Sequence, residues 1–99
     1  MPYKCISIDE AVELIDVGEY ALLDIRDAAS YSAGNVDSSI NVTNNNVEQV
    51  LADADKQKPL IVYCYHGNSS QGAADYFARA GFEFCYSVDG GYEQWKHRL

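Results

Sequence analysis

The sequence predicts an α/β domain built on a parallel sheet with helices covering both faces. Three observations point there. Strand-like and helix-like stretches alternate along all 99 residues. The stretch Leu60–Tyr63 is apolar at every position, as a central parallel strand buried on both sides must be. No repeat, low-complexity tract or linker breaks the alternation, so residues 1–99 read as a single domain around one core.

Element by element, Ile6 and Ile8 flank Ser7 in a short first strand. Ser7 with Glu10 makes a capping-box pattern that opens a helix over Asp9–Asp16, with Ala11, Leu14 and Ile15 on one face. Gly18 closes it. Ala21–Ile25 is a second strand, and Ala28–Ala33 a short helix ended by Gly34. Ile40–Val42 is a brief third strand. Asn44 or Asn45 can cap a helix reaching Asp53, with Val47, Val50 and Leu51 as its buried stripe. Pro59 introduces the fourth strand, Leu60–Tyr63. After a polar loop, the helix from Gln71 to Ala80 carries Ala73, Ala74, Phe77 and Ala78 on one side and stops at Gly81. Glu83–Val88 is the fifth strand, Gly90-Gly91 a turn, and Tyr92–Arg98 a final helix. This spacing implies βαβ units, and in such sheets ligands bind beyond the C-terminal strand ends.

Composition narrows the partners. The formal net charge of −8 argues against nucleic acid and against anionic membrane surfaces. Residues 63–72 nevertheless contain no acidic side chain, which leaves one stretch locally tolerant of anions. The longest apolar run, Leu60–Tyr65, is strand-sized and too short to cross a bilayer. Residues 1–7 show neither a basic leader nor an apolar signal core, so the expectation is a cytoplasmic protein. Three cysteines, Cys5, Cys64 and Cys85, with no CxxC spacing, read as reduced thiols rather than a disulfide framework.

The chemistry concentrates at Cys64. A thiol at the end of a buried strand, facing the start of a helix, meets unpartnered backbone N–H groups and the positive end of the helix dipole. That setting favours the thiolate, which is the reactive form. In the loop Tyr65-His66-Gly67-Asn68-Ser69-Ser70, Gly67 permits positive φ and Asn68 tolerates the left-handed region. Such a loop curls into an anion-binding nest, with Ser69 and Ser70 offering hydroxyl donors and caps for the helix. The plainer reading of a buried cysteine is inert packing, and Cys85 fits it, as Cys5 fits a strand-edge position. For His66 the expectation is a ring in solvent and a contribution through its N–H alone. Asp24 and Arg26 read as a structural pair holding the turn after the second strand. Cys64 and the two histidines, His66 and His97, do not make a metal-site pattern.

Two anion chemistries use a cysteine in a curled loop. Cysteine-dependent phosphatases place an arginine six residues after the thiol, where it grips phosphate bidentately. Here that position is Ser70, and no Arg or Lys occurs before Arg79. Sulfur transfer needs only a nucleophile, amide donors and a leaving group that departs unaided.

Cys64-Tyr65-His66-Gly67-Asn68-Ser69-Ser70, followed by Gly72-Ala73-Ala74, resembles the active-site loop of the single-domain rhodaneses. Leu23–Asp27, continuing through Tyr31 to Gly34 and Ile40-Asn41, is similar to the family's N-terminal signature. Ser87–Trp95 is similar to its C-terminal one. The resemblance implies a central five-stranded parallel sheet flanked by helices and a double-displacement reaction that uses no cofactor or metal. In it, Cys64 takes the outer sulfur of thiosulfate as a persulfide, held by Tyr65, His66, Gly67, Asn68, Ser69 and Ser70. An acceptor such as cyanide, a small dithiol or thioredoxin then removes it. The alternative is a sulfur carrier or docking module loaded by a partner, with little turnover of thiosulfate.

Overall fold

The computed structural model describes residues 2–99. Five strands, β1 (Lys4–Ile6), β2 (Ala21–Asp24), β3 (Ile40–Asn41), β4 (Leu60–Tyr63) and β5 (Cys85–Val88), form one sheet in the order β1-β5-β4-β2-β3. Every pairing is parallel. The helices are α1 (Ile8–Val17), α2 (Ala28–Ala33), α3 (Val47–Asp53), α4 (Ser69–Arg79) and α5 (Gly91–Trp95), the last continued by a 3₁₀ turn over Lys96–Arg98.

Side-chain alternation along the strands splits the core into two layers. Leu22, Ile61, Tyr63 and Val88 point to one face, where they pack with Ile8 and Ala11 of α1 and Trp95 of α5. Leu23, Leu60, Val62 and Cys85 point to the other, against Ala74 and Phe77 of α4 and the stripe Val47, Val50 and Leu51 of α3. All four residues of β4 are buried completely. At about 1.5–3 kcal/mol for each large apolar side chain withdrawn from water, β4 is the anchor of the sheet. It stands between β2 and β5, so the residue that leaves its C-terminal end is flanked by both neighbouring strand ends.

Several boundaries differ from the sequence reading. Ser7 ends β1 instead of lying inside it. Its hydroxyl accepts from the Glu10 amide at 3.1 Å while the Glu10 carboxylate accepts from the Ser7 amide at 3.0 Å. With the box closed there, Ile8 becomes the first helical residue and is buried under α1. Gly18 caps that helix at φ 93°. Neither Asn44 nor Asn45 caps α3. Asn46 holds the N-cap position, and its side chain instead bridges the turn, accepting from the Thr43 amide at 2.7 Å and donating to the Asn41 carbonyl at 2.8 Å. The final helix opens at Gly91 rather than Tyr92. No helix among the described residues is long and apolar enough to cross a membrane.

Candidate active site

Cys64 follows β4 directly and is 3% exposed. The helix beyond it starts earlier than the apolar periodicity suggested: α4 includes Ser69 and Ser70, so only residues 65–68 form the connecting loop. This places an amide of the first helical turn against the thiol. The Ser70 N–H donates to Cys64 Sγ at 3.3 Å and the Gly67 N–H at 3.2 Å. Gly67 has φ +94°, and a Cβ there would lie 3.0 Å from the Gly90 nitrogen and 3.1 Å from the Val88 carbonyl oxygen. Only glycine combines that backbone conformation with that approach.

The serine hydroxyls do not cap α4. Ser69 is exposed, and Asn68, at the N-cap position with φ −90° and ψ −59°, makes no side-chain cap and stays outside the left-handed region. Ser70 is buried completely, its Oγ 3.4 Å from Sγ and 2.7 Å from the Oγ of Ser87, also fully buried. His66 is exposed, and its backbone N–H is directed to the sulfur. Burial alone would push the thiol up. The Ser70 hydroxyl and the amides of Ser70, Gly67 and His66 outweigh it and bring Cys64 below the usual thiol value. Cys85, buried without such donors, is pushed up to about 11.

A second element holds the loop from below. At the start of α5, the Tyr92 N–H donates to the Cys64 carbonyl at 2.8 Å and the Glu93 N–H to the Tyr65 carbonyl at 3.0 Å. These are unpaired amides of a helix start, used here on the backbone of another segment. Gly91, at φ +59°, lies so close that a Cβ would sit 2.6 Å from the Cys64 and Tyr65 carbonyl oxygens.

The Tyr65 ring, partly exposed, reaches back over the turn after β2. Its hydroxyl donates to Asp27 and is 3.0 Å from Ser30 Oγ. Hydrogen bonds from Ser30 and Tyr65 hold the Asp27 carboxyl below its ordinary range. Beneath it, the buried Arg26 guanidinium donates from Nε and Nη2 to Asp24 at 2.7–3.2 Å, and from Nη2 to the Gly34 carbonyl at 2.6 Å. It lies 4.0 Å from the centroid of the Tyr92 ring. Arg26 is therefore committed to Asp24, Gly34 and the tyrosines, and the cradle around Sγ is built from amides and hydroxyls alone.

A separate cleft of about 680 Å³ opens beyond β2 and β3, with Ile25, Val42, Val47, Ala73, Tyr76 and Phe77 among its walls. No residue of the 64–70 loop lines it. The sulfur lies outside that cleft, within the loop's own hydrogen bonds.

Residues 7–98 match the family model described as the Rhodanese-like domain. The chain belongs to the rhodanese family. Its relatives include the thiosulfate sulfurtransferase GlpE of Tolumonas auensis, 44% identical over 92 residues, or 93% of this chain and 87% of that one. The GlpE of Pseudoalteromonas translucida is 43% identical over 96 residues, 97% of this chain and 91% of that one. Among solved structures, a rhodanese-related protein of Thermoplasma volcanium superposes with TM-score 0.80 at 26% identity, covering 97% of this chain and 93% of its own. The human single-domain sulfurtransferase TSTD1 shares the fold, with TM-score 0.79 at 20% identity over 100% of this chain and 98% of its own.

Against that rhodanese frame, the sequence reading missed Ser87 and the α5 contacts. The signal for Ser87 was a small polar residue in an otherwise apolar strand, Tyr86-Ser87-Val88. The signal for α5 was the Gly90-Gly91 pair, read only as a turn.

Proposed function

We propose that this rhodanese is a thiosulfate sulfurtransferase in which Cys64 is the nucleophile and residues 65–70 hold the transferred sulfur. The observation that carries the reading is the Cys64 sulfur accepting hydrogen bonds from two inward-facing amides, with its acidity raised and no cationic side chain committed to it. Kinship with GlpE proteins at 39–44% identity names the substrate class.

The chemistry follows from the donors present. The Cys64 thiolate attacks the outer sulfur of thiosulfate. A sulfur–sulfur bond forms to Cys64 while the bond to the sulfonate sulfur breaks, and sulfite leaves with the electron pair. Sulfite is stable as an anion at neutral pH, so no general acid is required. The step asks nothing of the exposed His66 ring. The same amides that favour the thiolate suit the persulfide anion. In the second half, cyanide attacks the terminal sulfur, leaves as thiocyanate and regenerates the thiolate. Small dithiols and thioredoxin are acceptors of matching chemistry. The three unpaired cysteines suit a reducing compartment such as the cytoplasm.

Intact mass after incubation with thiosulfate tests the proposal. The wild type is expected to gain one sulfur atom and lose it to cyanide, and Cys64→Ser to gain none. Turnover retained by Cys64→Ser would overturn the assignment of the nucleophile. No gain in the wild type would overturn thiosulfate as donor.

A further inference from the structure

Ser87 lies on β5, two strand positions beyond Cys85. Register pairs Cys85 with Leu60 and Ser87 with Val62, so all four point to the α4 face of the sheet. The neighbours of Ser87 in that layer, Leu60, Val62 and Cys85, pack among the apolar side chains Ala74 and Phe77 of α4. Ser87 is the exception, and it meets the one hydroxyl of α4 that touches the sulfur.

The hydrogens of this pair have a preferred direction. A thiolate or persulfide anion can only accept, so the Ser70 hydrogen goes to sulfur and the Ser70 oxygen is free to accept from Ser87. Run that way, Ser87 O–H to Ser70 O–H to sulfur, each hydroxyl hydrogen has an acceptor. If the sulfur is protonated and donates to Ser70, the chain reverses. One of the two hydroxyl hydrogens, that of Ser87 or that of Ser70, then has no acceptor, because the two hydroxyls are each other's only oxygen partners among the described residues. At zero exposure a stranded donor is costly.

We propose that Ser87 is a positioning residue for sulfur transfer, its hydroxyl aiming that of Ser70 at the Cys64 anion. The role rests on Cys64 being the reacting sulfur, but its readout is thiol acidity and needs no sulfur donor. The titratable and charged groups facing the loop are His66 on the loop itself, Arg26 and Asp27 from the turn after β2, and Glu93 from α5. Replacing Ser87 leaves all of them in place.

The test is the pH dependence of iodoacetamide alkylation at Cys64, resolved from Cys5 and Cys85 by peptide mass spectrometry, with thermal unfolding to check folding. Ser87→Ala is expected to raise the midpoint by about half a unit to one unit, the size of one ordinary hydrogen bond, because the bond lost is the one between the two hydroxyls. Ser87→Thr, which keeps a hydroxyl on the same carbon, is expected to retain the wild-type midpoint. In a Ser70→Ala background, Ser87→Ala is expected to add no further shift. An unchanged midpoint in Ser87→Ala, an equal shift in the Ser70→Ala background, or a Thr variant displaced as far as the Ala variant would overturn the role. Sulfur loading is measured separately. A protein that shows the alkylation shift yet takes no sulfur from thiosulfate would sink the proposed function and leave the role of Ser87 standing.

Discussion

The amide of Tyr92 donates to the carbonyl of Cys64 across 2.8 Å, which ties the start of α5 to the backbone of the proposed nucleophile. Gly91 is what lets α5 come so close.

Gly91→Ala therefore forces the two segments apart, since its Cβ would lie 2.6 Å from two carbonyl oxygens in a backbone conformation that disfavours any side chain. The expected outcome is a loss of sulfur transfer of roughly tenfold to a hundredfold, from displacement of the amide cradle. Stability should fall by about 1–3 kcal/mol. Thiosulfate–cyanide turnover and urea unfolding measure the two effects. Wild-type turnover in the variant would mean that the α5 clamp does not position the loop.

Ser70→Ala removes one donor to the sulfur and leaves the Ser70 and Gly67 amides. Its rate of persulfide formation is expected to drop by about tenfold or less, consistent with one hydrogen bond. Cys64→Ser should drop to background. Rapid-quench mass spectrometry of the first sulfur transfer separates them, and equal losses would put the hydroxyl on a par with the thiol.

The two buried cysteines should titrate on opposite sides of an ordinary thiol. Cys64 lies below it, so ionisation of Cys64 adds stability that is present above the unfolded thiol value and lost as pH falls through the lower folded one. Cys85 is pushed up to about 11, so its neutral burial adds stability that is intact below the unfolded value and lost as pH rises through 11. Peptide-resolved alkylation near neutral pH is expected to label Cys64 well before Cys85. Preferential labelling of Cys85 in the folded protein would contradict this assignment of the donors.

Arg26→Ala leaves the Asp24 carboxylate, which has no exposure at all, without its counter-charge and with only the residue 26 amide, 2.8 Å away, as a donor among the described residues, and removes the guanidinium from the Tyr92 face. A loss of about 3–5 kcal/mol is expected by urea unfolding, as for one partner removed from a buried pair. That is a large part of the stability of a small domain. Arg26→Lys keeps the charge but not the fork that serves Asp24 and Gly34 together, and should recover only part of the loss. A near-neutral Arg26→Ala would show that Asp24 finds water or another donor.

Much of this was legible in the chain because it depends on local chemistry. The capping box at Ser7 and Glu10, the positive-φ stop at Gly18 and the uninterrupted apolar run of β4 are each set by a few adjacent residues, and the structure keeps them. The five parallel strands follow from the same alternation. Ile8 was misplaced because an isoleucine beside a capping serine fits either a strand or a first helical turn, and only packing under the sheet decides. The early start of α4 was hidden because Ser69 and Ser70 are weak helix formers, held helical by the turn that brings the Ser70 amide to sulfur. Spacing put Ser87 on the fifth strand and Gly91 in a turn but said nothing of what either one does. Their roles arise where β5 and α5 meet a loop that lies far away in sequence, and no local pattern carries that register.

Every group hydrogen-bonded to the sulfur among the described residues follows it in the chain: the amides of Gly67 and Ser70 and the Ser70 hydroxyl. Ser87 and the α5 amides that steady the cradle come later still. A chain made from its N-terminus thus carries Cys64 as an ordinary thiol while it emerges. The cradle is braced only once β5 and α5 have docked, so the last-made residues finish a site that the middle of the chain begins.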